Sequence, residues 1–153
     1  MEPIVDLDRR TLSAADRELV MRKNAANRLD FALLLKFFQS AGRYPALTTE
    51  IDLAVVEHLA AQIDIFTTSV TGAQGRTLKR MRTEIRAACG FREASVEDAA
   101  WPAEYLCERS IPQTRDHERL VAFLVTACRE RRIEPPADER VARVVRHALR
   151  IYG

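Results

Sequence analysis

The chain has 153 residues, of which 47% are hydrophobic and 30% are charged, and its formal net charge is +2. That length allows one domain or two small ones with their own cores, and the composition excludes an intrinsically disordered protein. No apolar run approaches the roughly 20 residues of a membrane span, and the N-terminus lacks the apolar core of a signal peptide, so we expect a cytoplasmic protein without a membrane partner.

Helix signals begin near the N-terminus. Ser13 followed by Asp16 is typical of a capping box and predicts a short helix that ends near Lys23. Residues 25–42 predict a central helix, because their apolar side chains cover nearly the whole circumference and Gly42 is a natural C-terminal residue. The expected buried face of this helix consists of Phe31, Leu34, Leu35 and Phe38.

A third helix and a linker complete the first half. Thr48 or Thr49 is the expected cap of the third helix, whose apolar stripe contains Ile51, Val55 and Leu59. Residues 64–75 then hold two glycines and four hydroxyl side chains. Glycine and hydroxyl residues at this density predict a linker between two helical units.

The second half shows the same periodicity of three and four residues. A helix over residues 75–90 has an expected inner stripe of Leu78, Met81, Ile85, Ala88 and Cys89. Further helices are expected after Ser95, over residues 117–131, and after the prolines at 135 and 136. The helix over residues 117–131 has an expected inner face of Leu120, Phe123, Leu124 and Ala127.

The sequence therefore predicts an all-α fold of about seven helices. They are expected to form two small units of three to four helices, one over residues 1–70 and a more basic one over residues 71–153. Small trihelical units that expose one basic helix are typical of helix-turn-helix proteins, and we expect such an arrangement here.

Positive charge is concentrated in the second half. Residues 1–70 carry 8 Lys and Arg against 10 Asp and Glu, whereas residues 71–153 carry 16 against 12. Two helices there have basic faces, and basic faces of this kind bind nucleic-acid phosphates. The candidate DNA-binding residues of these helices are Arg76, Thr77, Lys79, Arg80, Arg82, Arg86, Arg140, Arg143, Arg146 and Arg150.

A smaller basic and amide cluster lies where the first two helices meet. It is a second candidate DNA contact, although Asn24 could equally be a cap and Arg28 could equally pair with Asp30 or Glu18. Its members are Arg22, Lys23, Asn24, Asn27 and Arg28.

Motifs for catalysis or metal binding are missing from the sequence. It has no phosphate-binding loop, no GxSxG, no HExxH and no dinucleotide fingerprint. The three cysteines and three histidines are too far apart to form ligand pairs. We therefore expect no catalytic residue, no metal and no cofactor.

Three stretches follow one another in the chain: "NAANRLDFALLLKFFQSAGRYP", "GRTLKRMRTEIRAACGFR" and "ERRIEPPADERVARVVRHAL". Together they resemble the N-terminal region of Tn3-family transposases, a domain of unknown function in many of those enzymes. The resemblance extends over about residues 11–152. It implies two helical DNA-binding units that recognise the terminal inverted repeats of a transposon. It also implies that six residues of the basic helix face DNA, namely Arg76, Thr77, Lys79, Arg80, Arg82 and Arg86.

The catalytic acids of that family lie in a longer C-terminal part outside this sequence, so we expect DNA binding without cleavage, and a nucleoid-associated location. Double-stranded DNA is the expected partner, and the rest of a transposase or a second copy of the chain are further candidates. The alternative is a helical protein-interaction or dimerisation domain whose arginine-rich face binds an acidic partner.

Overall fold

The computed structural model of the chain describes residues 7–45, 50–65 and 74–152. In these residues the regular structure is helical and the only β feature is an isolated bridge, so the predicted all-α fold is confirmed. The α-helices are α1 (Ala14–Met21), α2 (Arg28–Ala41), α3 (Leu53–Gln62), α4 (Gly75–Cys89), α5 (Trp101–Tyr105), α6 (His117–Glu130) and α7 (Asp138–Tyr152). The helix-turn-helix arrangement stays a prediction.

Shorter helical turns connect these elements. Residues Ala25–Asn27 and Val96–Asp98 form 3-10 turns, and α5 continues directly into a π-helical turn over Leu106–Ser110. None of the helices in the described part of the chain is long and apolar enough to cross a bilayer.

The chain divides into two compact units, Met1–Cys89 and Gly90–Gly153. The sequence placed the boundary near residue 70 and assigned the basic helix at 75–90 to the second unit. In the structure that helix, α4, packs against α2 and belongs to the first unit. The apolar stripe of α4 indicated that it covers a core, but it did not indicate which core.

Helix α2 is the centre of the first unit, since α1, α3 and α4 all pack against it. The predicted face of α2 is buried, with Phe31 and Leu35 fully inaccessible and Phe38 1% exposed. The helix ends at Gly42, whose left-handed φ of 72° is the conformation in which glycine carries no steric penalty.

Local capping predictions hold at α1 and differ at α3. Ser13 and Asp16 form the complete capping box that starts α1. The N-terminal cap of α3 is Asp52, whose carboxylate accepts a hydrogen bond from the backbone N–H of Ala54. Thr48 and Thr49, the caps expected from sequence, lie outside the described residues.

The second unit is built from α5, the π-helical turn, α6 and α7. Its core contains Leu106, Ile111, Leu120, Leu124, Val141, Val145 and Ala148. Phe123 is 37% exposed, so its predicted place in the core is wrong. It lies at the edge of the stripe, because α7 and the π-helical turn cover the side of α6 that carries Leu120 and Leu124.

Candidate nucleic-acid interface

Three basic side chains project from α4 on the side opposite its buried stripe. Met81 and Ile85 are buried, and the helical rotation of 100° per residue places Arg76, Lys79 and Arg80 on the opposite side. All three residues are exposed, and none pairs through its side chain with a described residue. We call these three residues the outer face of α4.

The acid within this basic stretch lies one turn after Arg80 and has a partner outside α4. Glu84 forms an ion pair with Lys23, which lies near the end of α1, and the Lys23 ammonium also lies 5.1 Å from the centre of the Phe31 ring. Lys23 and Glu84 therefore offset each other's charge beside the α1–α2 junction. As a result, the Glu84 carboxylate is paired with Lys23, and none of the three basic residues of the outer face is paired with it.

Arg82 occupies a flank of α4 and has a structural partner. Its guanidinium lies 4.9 Å from the centre of the Tyr44 ring, and the Tyr44 hydroxyl donates a 2.8 Å hydrogen bond to the Arg82 carbonyl oxygen. Tyr44 in turn packs against Phe38, with 4.8 Å between the ring centres. Arg82 thus links α4 to the core of the first unit, a role that its sequence position did not indicate.

The remaining sequence candidates on α4 differ in their surroundings. Thr77 is exposed. Arg86 is half-buried and donates a 3.2 Å hydrogen bond to the Thr83 hydroxyl. The structure therefore separates the predicted six-residue set into outward-pointing residues and residues that contact their own helix or its neighbours.

The second candidate cluster, at the α1–α2 junction, is largely used in holding that junction together. Arg28 donates hydrogen bonds to the carbonyl oxygens of Lys23 (3.0 Å) and Met21 (3.1 Å), which lie at the end of α1. These carbonyls need external donors because a helix end leaves them unpaired. Arg28 therefore has a structural role at this junction, which differs from the pairing with Asp30 or Glu18 that was the alternative to a DNA contact.

The other members of that cluster are more accessible. Arg22 makes an exposed ion pair of 3.2 Å with Glu18, a contact that contributes little to stability. Asn24 and Asn27 precede the 3-10 turn and α2, and neither side chain caps the helix that follows. Asn24 is exposed and Asn27 is half-buried.

Helix α7 carries the basic face of the second unit. Val141 and Val145 are buried, and Arg143, Arg146 and Arg150 lie on the opposite side and are exposed. This face includes an acid, because Glu139 lies 3.8 Å from Arg143 in an exposed pair. Arg140, the fourth candidate on α7, borders a pocket between α7 and the Val96–Asp98 turn.

Among the described residues, no group of three or more His, Cys, Asp or Glu side chains is placed to hold a metal ion. The cysteines there are free thiols. Burial raises the pKa of the Cys128 thiol to about 11, which keeps it protonated and unreactive near neutral pH.

The chain matches a known protein family. A family described as "Domain of unknown function (DUF4158)" matches residues 8–148, which extend from before α1 to the last turn of α7. No curated protein sequence matches the chain.

Proposed function

The chain belongs to the DUF4158 family, and we propose that it binds double-stranded DNA through the outer face of α4. The finer proposal is that it serves as a non-catalytic part of a Tn3-like transposase and recognises the terminal inverted repeats of a transposon. This finer proposal depends on the sequence resemblance described above, and the DNA-binding proposal depends on the surface of α4.

The observation that supports DNA binding is the charge of the outer face of α4. Arg76, Lys79 and Arg80 lie within five consecutive residues on one side of a helix, and Glu84 is drawn away by Lys23. An ordinary solvated helix face carries charges of both signs at spacings of three and four, because opposite pairs there stabilise the helix. A face with a single sign is better suited to a polyanion.

Helix geometry suits this surface to duplex DNA. The major groove is about 12 Å wide and admits one α-helix, and arginine and lysine at the helix surface contact phosphates or guanine edges. Helix α4 has 15 residues and is anchored to α2 by Met81 and Ile85, so its outer face is held rigidly. Arg82, whose guanidinium stacks on the Tyr44 ring, lies on the flank of α4. In a helix bound in the groove, this flank would face the phosphate backbone.

Helix α7 supports a second, separate contact in the second unit. Arg143, Arg146 and Arg150 give it a basic face, but the Glu139 pair reduces the net charge. We therefore assign α4 the larger share of the binding free energy and α7 a smaller electrostatic share.

The test measures binding of fluorescein-labelled duplexes by fluorescence anisotropy at several salt concentrations. One duplex carries the terminal inverted repeat of a Tn3-family transposon and the other carries the same bases scrambled. Replacing Arg76, Lys79 and Arg80 together with alanine should lower the slope of log affinity against log salt by about 2.7, since each phosphate contact contributes about 0.9. Circular dichroism should show an unchanged helix content, because all three side chains are exposed.

A matched control removes three exposed arginines of the second unit that are not on α4 or α7, namely Arg109, Arg115 and Arg119. It changes the net charge equally and should leave the slope nearly unchanged. Equal losses in the two triple variants would show that only net charge matters, and an unchanged affinity in the α4 variant would overturn the proposal. Preference for the inverted repeat over the scrambled duplex separately tests the transposon assignment.

A further inference from the structure

The second unit contains a pocket of about 500 Å³, which is within the size range of small-molecule sites. Its floor is made by side chains of the core, including Leu124, Cys128 and Val141, which are at most 2% exposed. Trp101 and Val144 form the walls. A ligand in this pocket would therefore meet a largely apolar surface, with Ser95, Asp98 and Arg140 as the polar members of the lining.

One wall of the pocket is held by a dense hydrogen-bond network around Asp98. The two terminal nitrogens of the Arg92 guanidinium, Nη1 and Nη2, donate hydrogen bonds of 2.8 and 2.9 Å to the Asp98 carboxylate. The Ser95 backbone N–H and the Trp101 indole N–H donate to the same carboxylate. The hydrogen bonds from Arg92, followed by that from the Ser95 backbone, hold the pKa of Asp98 well below its usual range. This carboxylate is consequently saturated with donors and already neutralised by Arg92.

The chain segments that frame the pocket are also joined through the backbone. Arg92 N–H donates to the Arg132 carbonyl at 3.0 Å, and Glu134 N–H donates to the Arg92 carbonyl at 2.8 Å. The guanidinium of Arg131 lies 4.1 Å from the centre of the Trp101 ring and fixes its outer side. The pocket is thus preformed, which lowers the entropic cost of binding.

Arg140 is the second charged residue of the pocket lining besides Asp98. It is exposed at the mouth and makes no ion pair or hydrogen bond through its side chain with a described residue. Asp98 and Arg140 are the charged residues of the lining, and Arg92, which lies behind Asp98 and outside the lining, neutralises it, so these three residues together carry one positive charge. An apolar pocket with one available guanidinium at its mouth is complementary to an amphipathic monoanion.

We propose that this pocket binds a small molecule with a flat apolar body and a single carboxylate, with the body against Trp101 and Val144 and the carboxylate on Arg140. A guanidinium pairs well with a carboxylate because its fork matches the two oxygens. A phosphate monoester is disfavoured, because it carries nearly two negative charges and only one would be offset. This site does not depend on α4, so it stands or falls separately from DNA binding.

The test uses 2-naphthoate and its neutral analogue 2-naphthalenemethanol as probes. Trp101 is the single tryptophan of the chain, so a two-dimensional NMR spectrum contains one indole N–H signal and it reports on the pocket wall. Titration with 2-naphthoate should shift this signal saturably. The neutral analogue should bind at least about tenfold more weakly than 2-naphthoate, because it lacks the charge-assisted hydrogen bond.

Arg140→Gln should lower the affinity for 2-naphthoate to that for the neutral analogue and should leave the neutral analogue unaffected. Arg119→Gln, which removes an exposed arginine of α6 outside the pocket lining, should change neither affinity. The proposal is overturned if 2-naphthoate causes no saturable shift, or if Arg140→Gln and Arg119→Gln bind it equally well.

Discussion

Replacing Lys36 with methionine should destabilise the first unit by about 3–5 kcal/mol, because it leaves a buried carboxylate without its counter-ion. The Lys36 ammonium lies 3.0 Å from Asp16 Oδ2, and the two side chains are only 8% and 9% exposed. The pair joins α1 to the central helix α2. Methionine keeps the length and apolar volume of the lysine stem, so the loss reports the charge and not a cavity.

A second substitution separates the cost of an unpaired charge from the value of the pair. Adding Asp16→Asn to Lys36→Met removes the orphaned charge and keeps one oxygen that can accept from Ser13 N–H, while the new amide NH2 faces Gln39, whose side-chain amide can rotate to present its oxygen. This double variant should regain most of the lost stability. Equal stabilities of the single and double variants would refute the assumption that the Asp16 charge causes the loss.

The pH dependence gives an independent check. Burial raises the pKa of Asp16, but hydrogen bonds from the Ser13 backbone, Gln39 and Lys36 outweigh it, so the pKa lies below its ordinary value of 3.8. In the wild type, this carboxylate therefore stabilises the fold above pH 3.8, and the contribution is lost as pH falls through the lower folded-state pKa. Without Lys36, burial has less opposition, so the difference in stability between Lys36→Met and the wild type should shrink as pH falls from 7 towards 4.

The assay must report on the first unit alone. Amide hydrogen exchange of α2 gives the free energy of opening of that unit. The fluorescence of Trp101, which lies in the second unit, serves as an internal control during urea unfolding. A loss below about 1 kcal/mol in α2 would refute the argument, because it would place the pair in the range of exposed ion pairs.

Three further predictions follow from burial and exposure. Phe38→Ala should cost about 3–5 kcal/mol, measured by hydrogen exchange of α2, because Phe38 is 1% exposed at the centre of the first unit; a cost below about 1 kcal/mol would contradict its central position. Cys128 should resist iodoacetamide at pH 8 until the chain is unfolded, since burial raises its pKa to about 11, and peptide mass mapping would detect early labelling. Arg80→Ala should lower the slope of log affinity against log salt by about 0.9 for all duplexes if Arg80 contacts a phosphate. If Arg80 contacts a guanine instead, the variant should lose about 1–3 kcal/mol of binding free energy on one sequence only. No change in either quantity would exclude Arg80 from the interface.

The order of the helices and many of their ends were determined by local sequence. The capping box of Ser13 and Asp16, the left-handed Gly42 and the glycine at position 90, whose φ is 73°, each act on the residues next to them. Periodicity likewise identified the buried side of α2 and, through Met81 and Ile85, that of α4, because a helix places residues three and four apart on one face. Ala88, which was predicted in the inner stripe of α4, is exposed. These features depend on neighbours in the chain and are therefore visible without the fold.

The assignment of α4 to the first unit was decided by the tertiary structure. An apolar stripe indicates that a helix covers a core, but several cores along the chain can accept the same stripe. The net charge of residues 71–153 suggested one basic unit, whereas the structure distributes that charge between the first unit, through α4, and the second, through α7. Charge counted along the sequence does not follow the boundaries set by packing.

The partners of individual charges were also decided by tertiary contacts. Glu84 pairs with Lys23 and Arg82 stacks on Tyr44, contacts that join residues 61 and 38 positions apart in the chain. Sequence alone named six candidate residues from Arg76 to Arg86 and fixed only the angle of each around the helix. Whether a charge meets solvent, an opposite charge or an aromatic ring depends on the neighbouring helix at that angle, and that neighbour is specified only when the whole unit packs.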